Sequence, residues 1–168
     1  MITIDEEIRT PTMRFMSFGA LALPHYTDCA YSVVARDGHV DTAIVSTGTG
    51  RIALNLYAAT SSGTVPGYLG SCLRYLNSEN VDTNGVDWIP DSEVGGTAPD
   101  GTHYRFLNTS APGWLLRAAV QTPLHAAKSD LNLARQLLNA ARVRAPRHLR
   151  AGTVIELDVE PAWFPAPR

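Results

Sequence analysis

Lysine is almost missing from this chain: Lys128 is the only one, and the other thirteen basic residues are arginines. Cysteine is nearly as scarce. Cys29 and Cys72 stand far apart, which excludes both a disulfide framework and the paired spacing of a zinc site. They read as small buried hydrophobes in a reducing compartment. No apolar run approaches the ~18 residues of a membrane span. The opening Met1-Ile-Thr-Ile-Asp-Glu-Glu is acidic where a signal peptide is basic and then apolar, so mature cytosolic sequence is expected. Charged residues make up 18% against 45% hydrophobic, a balance that argues against wholesale disorder. The 168 residues amount to one domain.

Catalytic signatures are missing too. There is no Gly-Lys-Ser/Thr phosphate loop, no G-x-S-x-G elbow and no H-E-x-x-H zinc motif. The five histidines, His25, His39, His103, His125 and His148, fall in different segments, and none lies four residues from another. Gly48-Thr-Gly-Arg-Ile-Ala53 matches a dinucleotide fingerprint in letters, but it opens the alternating Ile52, Leu54, Leu56 of a strand rather than a helix. Asp82-Thr-Asn-Gly-Val-Asp87 resembles a calcium loop without its last ligand and reads as a turn. No metal and no cofactor are expected.

The net charge of −2 is unevenly placed. Acids dominate residues 1–100, and arginines dominate the rest. A nucleic-acid binder is usually basic over an entire face, and this chain is not. Residues 79–100 hold six acids and no Lys or Arg. They read as a protruding, mostly irregular loop with a short strand at Trp88 and Ile89, and Asp87, Trp88, Asp91 and Glu93 are its candidate binding residues. Residues 142–150 form a basic connector carrying Arg142, Arg144, Arg147, His148 and Arg150.

Period and turn signals divide the chain. Residues 1–12 are an N-terminal arm, 13–161 one domain and 162–168 a C-terminal tail. Strands are expected at 13–18, 30–35, 40–46 and 51–58. Asp37-Gly38 is a hairpin dipeptide, and 47–50 forms the next turn. Leu69, Cys72, Leu73 and Leu76 lie on one helical stripe, with Thr64 or Ser62 available as a cap. A hairpin follows, 103–108 with 114–122 across Ser110-Ala-Pro-Gly113. A second helix runs to about Arg142 with Leu124, Ala127, Leu131, Ala134, Leu138 and Ala141 on its stripe. The alternating 154–159 reads as a terminal strand. The order implies an α+β fold in which two main helices pack on one central antiparallel sheet.

Arg117 sits inside Trp114-Leu-Leu-Arg-Ala-Ala-Val120, and Arg105 inside His103-Tyr-Arg-Phe106. A cation among apolar strand residues either pairs internally or faces a ligand. An internal acid such as Asp28 or Asp41 is the preferred partner, with both arginines on one face if the turn is tight. Trp114 is expected to be mostly buried, with its indole N–H bonded, on the opposite, helix-covered face.

Arg105-Phe106, Pro112, Trp114 and Leu116-Arg117, followed by a helix and an Arg-rich stretch, resemble an actinobacterial family catalogued as domain of unknown function 3710. Leu54–Gly63 and Phe18–Pro24 are similar to that family's earlier strands, so the resemblance covers about 13–161. Gly113 and Ala118 depart from the family pattern. The resemblance implies a Mog1/PsbP-like α/β/α sandwich and no established catalytic residue. Members of that fold class mostly act as accessory or binding proteins.

Together these readings favour a non-enzymatic, cytoplasmic accessory or protein-interaction module that binds another protein rather than nucleic acid or membrane. The alternatives are an anion-binding protein or enzyme using Arg105 and Arg117, and an inhibitor or immunity-like protein whose acidic loop masks a basic partner.

Overall fold

A computed structural model describes residues 9–82, 87–89 and 93–164, with backbone alone for 87–89 and 164. Eleven strands and two helices are found among them. They run β1 (Phe15–Ser17), β2 (Leu21–Pro24), β3 (Ala30–Arg36), β4 (His39–Ser46), β5 (Arg51–Ala58), α1 (Tyr68–Ser78), β6 (Asp87–Ile89), β7 (Glu93–Thr97), β8 (Thr102–Ala111), β9 (Trp114–Pro123), α2 (Ala127–Ala140), β10 (Arg142–Val143) and β11 (Ala162–Phe164). The fold is α+β.

The seven-stranded sheet runs β3-β4-β5-β9-β8-β7-β6, with every neighbouring pair antiparallel. Its tight turns follow their sequence. Asp37 and Gly38 both take positive φ, 51° and 79°, the backbone that a two-residue hairpin demands. Pro112-Gly113 closes the β8–β9 hairpin with Gly113 at φ 91°. The Gly48–Ala53 segment is the β4–β5 turn and the start of β5, as its alternation indicates.

Two cores lie on opposite faces of this sheet. On one face Ile52, Leu54, Leu56, Leu116, Ala118 and Val120 pack against Leu133, Ala134, Leu137 and Leu138 of α2 and against Phe18, Leu21 and Leu23. On the other, Tyr104, Phe106 and Val94 pack against Cys72 and Leu76 of α1. Both faces of β8 are therefore covered, and residues 103–107 are all buried.

The expectation of one central sheet is corrected. A second antiparallel sheet, ordered β10-β2-β1-β11, sits beside α2. It is built from very short strands whose two- to four-residue lengths carry little periodicity. Residues 162–164, placed in the tail, pair there with β1. Residues 1–8 of the arm lie outside the described residues; Thr12 N–H donates to the His25 carbonyl at 2.8 Å.

Other boundaries also shift. Residues 93–97 are strand β7 rather than loop, with Val94 and Ala98 buried. Residues 154–159 form no named strand. Ile155 and Leu157 donate singly to Leu56 and Val40 while burying their side chains, so alternation predicted burial without predicting a ladder. Helix α1 starts after Gly67, at φ 74°, with no side-chain cap. It ends in a Schellman motif. Asn80 takes φ 61°, Val81 N–H reaches the Leu76 carbonyl at 2.9 Å, and both apolar side chains are buried. Helix α2 is rotated from the expected stripe: Leu133 and Leu137 are buried, whereas Leu124 lies in a preceding 3-10 turn and is exposed.

Candidate functional site

Arg105 and Arg117 lie on opposite faces of the large sheet. In the β8–β9 ladder Arg105 stands opposite Val120, and Arg117 opposite Asn108. Side chains alternate along a strand, so the odd separation of Arg105 from Asn108 sends the two guanidinium groups apart. The expectation that they share a face is corrected.

Arg105 finds its acid in Glu93. Its Nη1 lies 3.5 Å from Glu93 Oε2, and both side chains are almost buried, at 9% and 11% exposure. The internal acid is therefore Glu93 on β7, not Asp28 or Asp41. Gly95, directly opposite Arg105, has no side chain to block the approach. Arg135 of α2 takes the same carboxylate from its more exposed side, with Nη2 at 3.2 Å from both oxygens. This bridge ties β7, β8 and α2 together.

Arg117 has no carboxylate in ion-pair range among the described residues, which overturns the internal-acid reading for this residue. A neutral amide and two aromatic faces hold it instead. Its Nη2 donates to Asn55 Oδ1 at 2.9 Å, and its guanidinium carbon lies 5.4 Å from the Tyr57 ring centre and 5.1 Å from that of Phe106. Its Nε is buried without a hydrogen bond. Asn55 is held in turn, donating to Thr42 Oγ1 and to the Asp41 carbonyl at 2.9 Å each. Burial raises the Cys72 thiol and the Tyr57 hydroxyl here, and the positive Arg117 opposes both shifts.

A cleft of about 350 Å³ opens where β9 begins. Trp114 lines it, half-buried, with Pro112, Pro146 and Leu149. Trp114 is only partly buried, and its indole N–H has no hydrogen-bond partner among the described residues, so the expectation of a mostly buried, bonded indole is corrected. Arg147 and His148 edge the cleft. A larger open cleft, about 590 Å³, lies at the other end of the sheet around Gly48, Gly50, Gly101 and Thr122. Behind it the fully buried Asp130 accepts hydrogen bonds from Thr49 at 3.0 Å and Thr122 at 2.6 Å, pinning α2 to the β4–β5 turn.

Residues 4–162 match the family model described as "Protein of unknown function (DUF3710)". The chain belongs to this family. No curated protein matches the DUF3710 chain. It is similar to a crystal structure from Bacteroides thetaiotaomicron VPI-5482 at 1.50 Å, with 11% identity, a TM-score of 0.45, and coverage of 82% of this chain and 50% of that one. The DUF3710 chain thus spans about half the length of that solved chain.

Among the candidate residues of this DUF3710 protein whose side chains are described, Arg105 and Glu93 come together. Arg117 stands alone on the α1 face. Asp87 and Trp88 belong to the edge strand β6, where the backbone is described, and Asp91 lies outside the described residues. Sequence reasoning missed the cleft. Trp114 and the basic connector were each visible, but nothing in their spacing shows that they meet.

Proposed function

We propose that this DUF3710 protein is a non-enzymatic accessory module that acts in the cytoplasm, without a cofactor, by binding another protein. The observation that carries this reading is the open cleft presenting the half-buried Trp114 indole beside the exposed Leu149. Tryptophan is enriched among residues that dominate binding energy at protein interfaces. The two unbridged thiols, Cys29 and Cys72, suit a reducing compartment. Helices on both faces of the large sheet support the Mog1/PsbP-like kinship that the resemblance implies, and the arginine-for-lysine bias supports an actinobacterial origin.

The anion reading loses its shared site, because Arg105 and Arg117 face apart and Arg105 is neutralised by Glu93. The inhibitor reading loses Glu93, which Arg105 and Arg135 already hold. A photo-reactive amino acid placed at Leu149 in the native host tests the proposal, with the exposed Arg36 as control position. A discrete adduct at Leu149 that disappears in Trp114→Ala is expected. The same adducts at both positions, or indifference to Trp114, would overturn it.

A further inference from the structure

The geometry points to the ligand chemistry of the Trp114 cleft: an extended acidic peptide that seats one apolar residue on the indole and sets Asp or Glu side chains against the connector. This inference rests on the interaction reading above and goes further, because it assigns the partner's charge and its anchor.

Apolar side chains and the cationic Arg147 both line the cleft. Ala58, Trp114, Pro112, Pro146 and Leu149 supply the apolar part of its lining. The rim carries Arg147 and His148, and Arg150 follows on the same exposed turn. Among the described residues Arg147, His148 and Arg150 make no ion pair, in contrast to Arg105 and Arg135, which share Glu93. Exposed arginines that make no ion pair among the described residues, beside a cleft lined by Trp114, Pro146 and Leu149, complement a carboxylate-bearing ligand in both sign and geometry.

The connector holds this rim in place. Arg144 N–H donates to the Ala20 carbonyl at 2.8 Å at one end. At the other, Gly152 N–H reaches the Ala58 carbonyl at 2.8 Å and Thr153 N–H the Arg150 carbonyl at 3.0 Å. Between them His148 adopts φ 71°, a left-handed conformation that non-glycine residues rarely take. Strain of this kind gathers at functional positions when the surroundings enforce it.

The cleft offers side-chain recognition rather than strand addition. The backbone groups at its edge are already paired: Ala59 N–H bonds the Gly113 carbonyl and Gly113 N–H bonds the Thr60 carbonyl. A volume of about 350 Å³ lies at the small end of ligand clefts, which suits one anchor residue and its neighbours.

Fluorescence anisotropy with labelled synthetic dodecapeptides tests this. One probe repeats Glu-Asp-Leu-Pro, a second replaces each Leu by Ser, and a third replaces each acid by Lys. The wild-type chain is expected to bind the first probe at least roughly tenfold more tightly than either of the others. That affinity should fall roughly tenfold or more between ~50 and ~500 mM NaCl. It should fall similarly in Trp114→Ala and in the double variant Arg147→Glu/Arg150→Glu. Should Trp114→Ala fail to fold by circular dichroism, Leu149→Ser, an exposed change in the same cleft, replaces it with the same expectation. Equal binding of the Ser and Leu probes would show non-specific charge attraction and overturn the inference. So would binding of the Lys probe, indifference to the double charge reversal, or no binding of the acidic probe. If these fail while the Leu149 adduct remains Trp114-dependent, the acidic assignment falls and the interaction module stands. Loss of both removes both.

Discussion

Replacing Arg117 by Met asks what holds a half-buried cation when no acid among the described residues pairs with it. Methionine keeps the unbranched stem and its contacts with Tyr57 and Phe106 but removes the guanidinium. Three terms change. The charge-assisted hydrogen bond to Asn55 Oδ1 is lost, about 1.5–3 kcal/mol for a bond of this class. The two cation–π contacts go, about 0.5–1 kcal/mol each. Against these, a guanidinium with its Nε buried and unbonded no longer has to be desolvated, and Met gains sulfur–ring contacts worth about 0.3–1.5 kcal/mol each. The net loss is therefore expected within about 2 kcal/mol. Breaking a buried ion pair would instead cost about 3–5 kcal/mol, because it strands a carboxylate. Arg105→Met provides that comparison in the same protein, softened by Arg135, which keeps one hold on Glu93. Urea unfolding followed by far-ultraviolet circular dichroism, with unchanged m-values, measures both variants. Arg117→Met should be the milder one. A loss above ~3 kcal/mol for Arg117→Met, or a smaller loss for Arg105→Met, would refute the account of Arg117 as a cation held by an amide and two rings.

Other perturbations follow from single contacts. Burial, then the neighbouring Asp28 carboxylate, pushes the Cys29 thiol from an ordinary 9.0 up to about 11. Alkylation by iodoacetamide at Cys29, read by mass spectrometry, should therefore stay slow at pH 8–9 and accelerate only towards 11. In that window the unfolded thiol loses its proton while the folded one keeps it, so the Cys29 contribution to stability should fall as pH rises, and Cys29→Ala should flatten the slope. In Gly50→Ala the new Cβ would stand 2.5 Å from the Gln121 carbonyl oxygen and 2.6 Å from Thr122 Cβ. Backbone cannot easily yield there, so a loss of about 1–3 kcal/mol is expected by thermal melting. Asn80, at φ 61° in the α1 Schellman motif, should tolerate Gly at little cost, whereas Ala should lose about 1 kcal/mol or more; equal melting temperatures would contradict the left-handed requirement.

The local elements were legible because short-range chemistry specifies them. Asp37-Gly38 accepts positive φ at both positions, the 51–58 alternation presents one apolar face, and the 69–76 stripe fits a helix that buries Cys72 and Leu76. The family was legible for the same reason, since its motifs are local strings around Arg105, Trp114 and Arg117. The face of each arginine was within reach but missed. A two-residue turn at Pro112-Gly113 sets Ala111 against Trp114 and so Arg117 against Asn108, whereas a turn read as 110–113 leaves the register open. One residue of slip moves every side chain to the other face. Only the tertiary structure could decide the rest. Glu93 meets Arg105 because β7 joins the sheet edge. The second sheet forms because segments from both ends of the chain and from the residue pair after α2 pair far from their sequence neighbours. The Trp114 cleft exists because the connector after α2 is pinned back onto the end of β5. Each of these is a long-range pairing whose cost is loop closure, and a local pattern of residue types carries no record of which distant segment meets that cost.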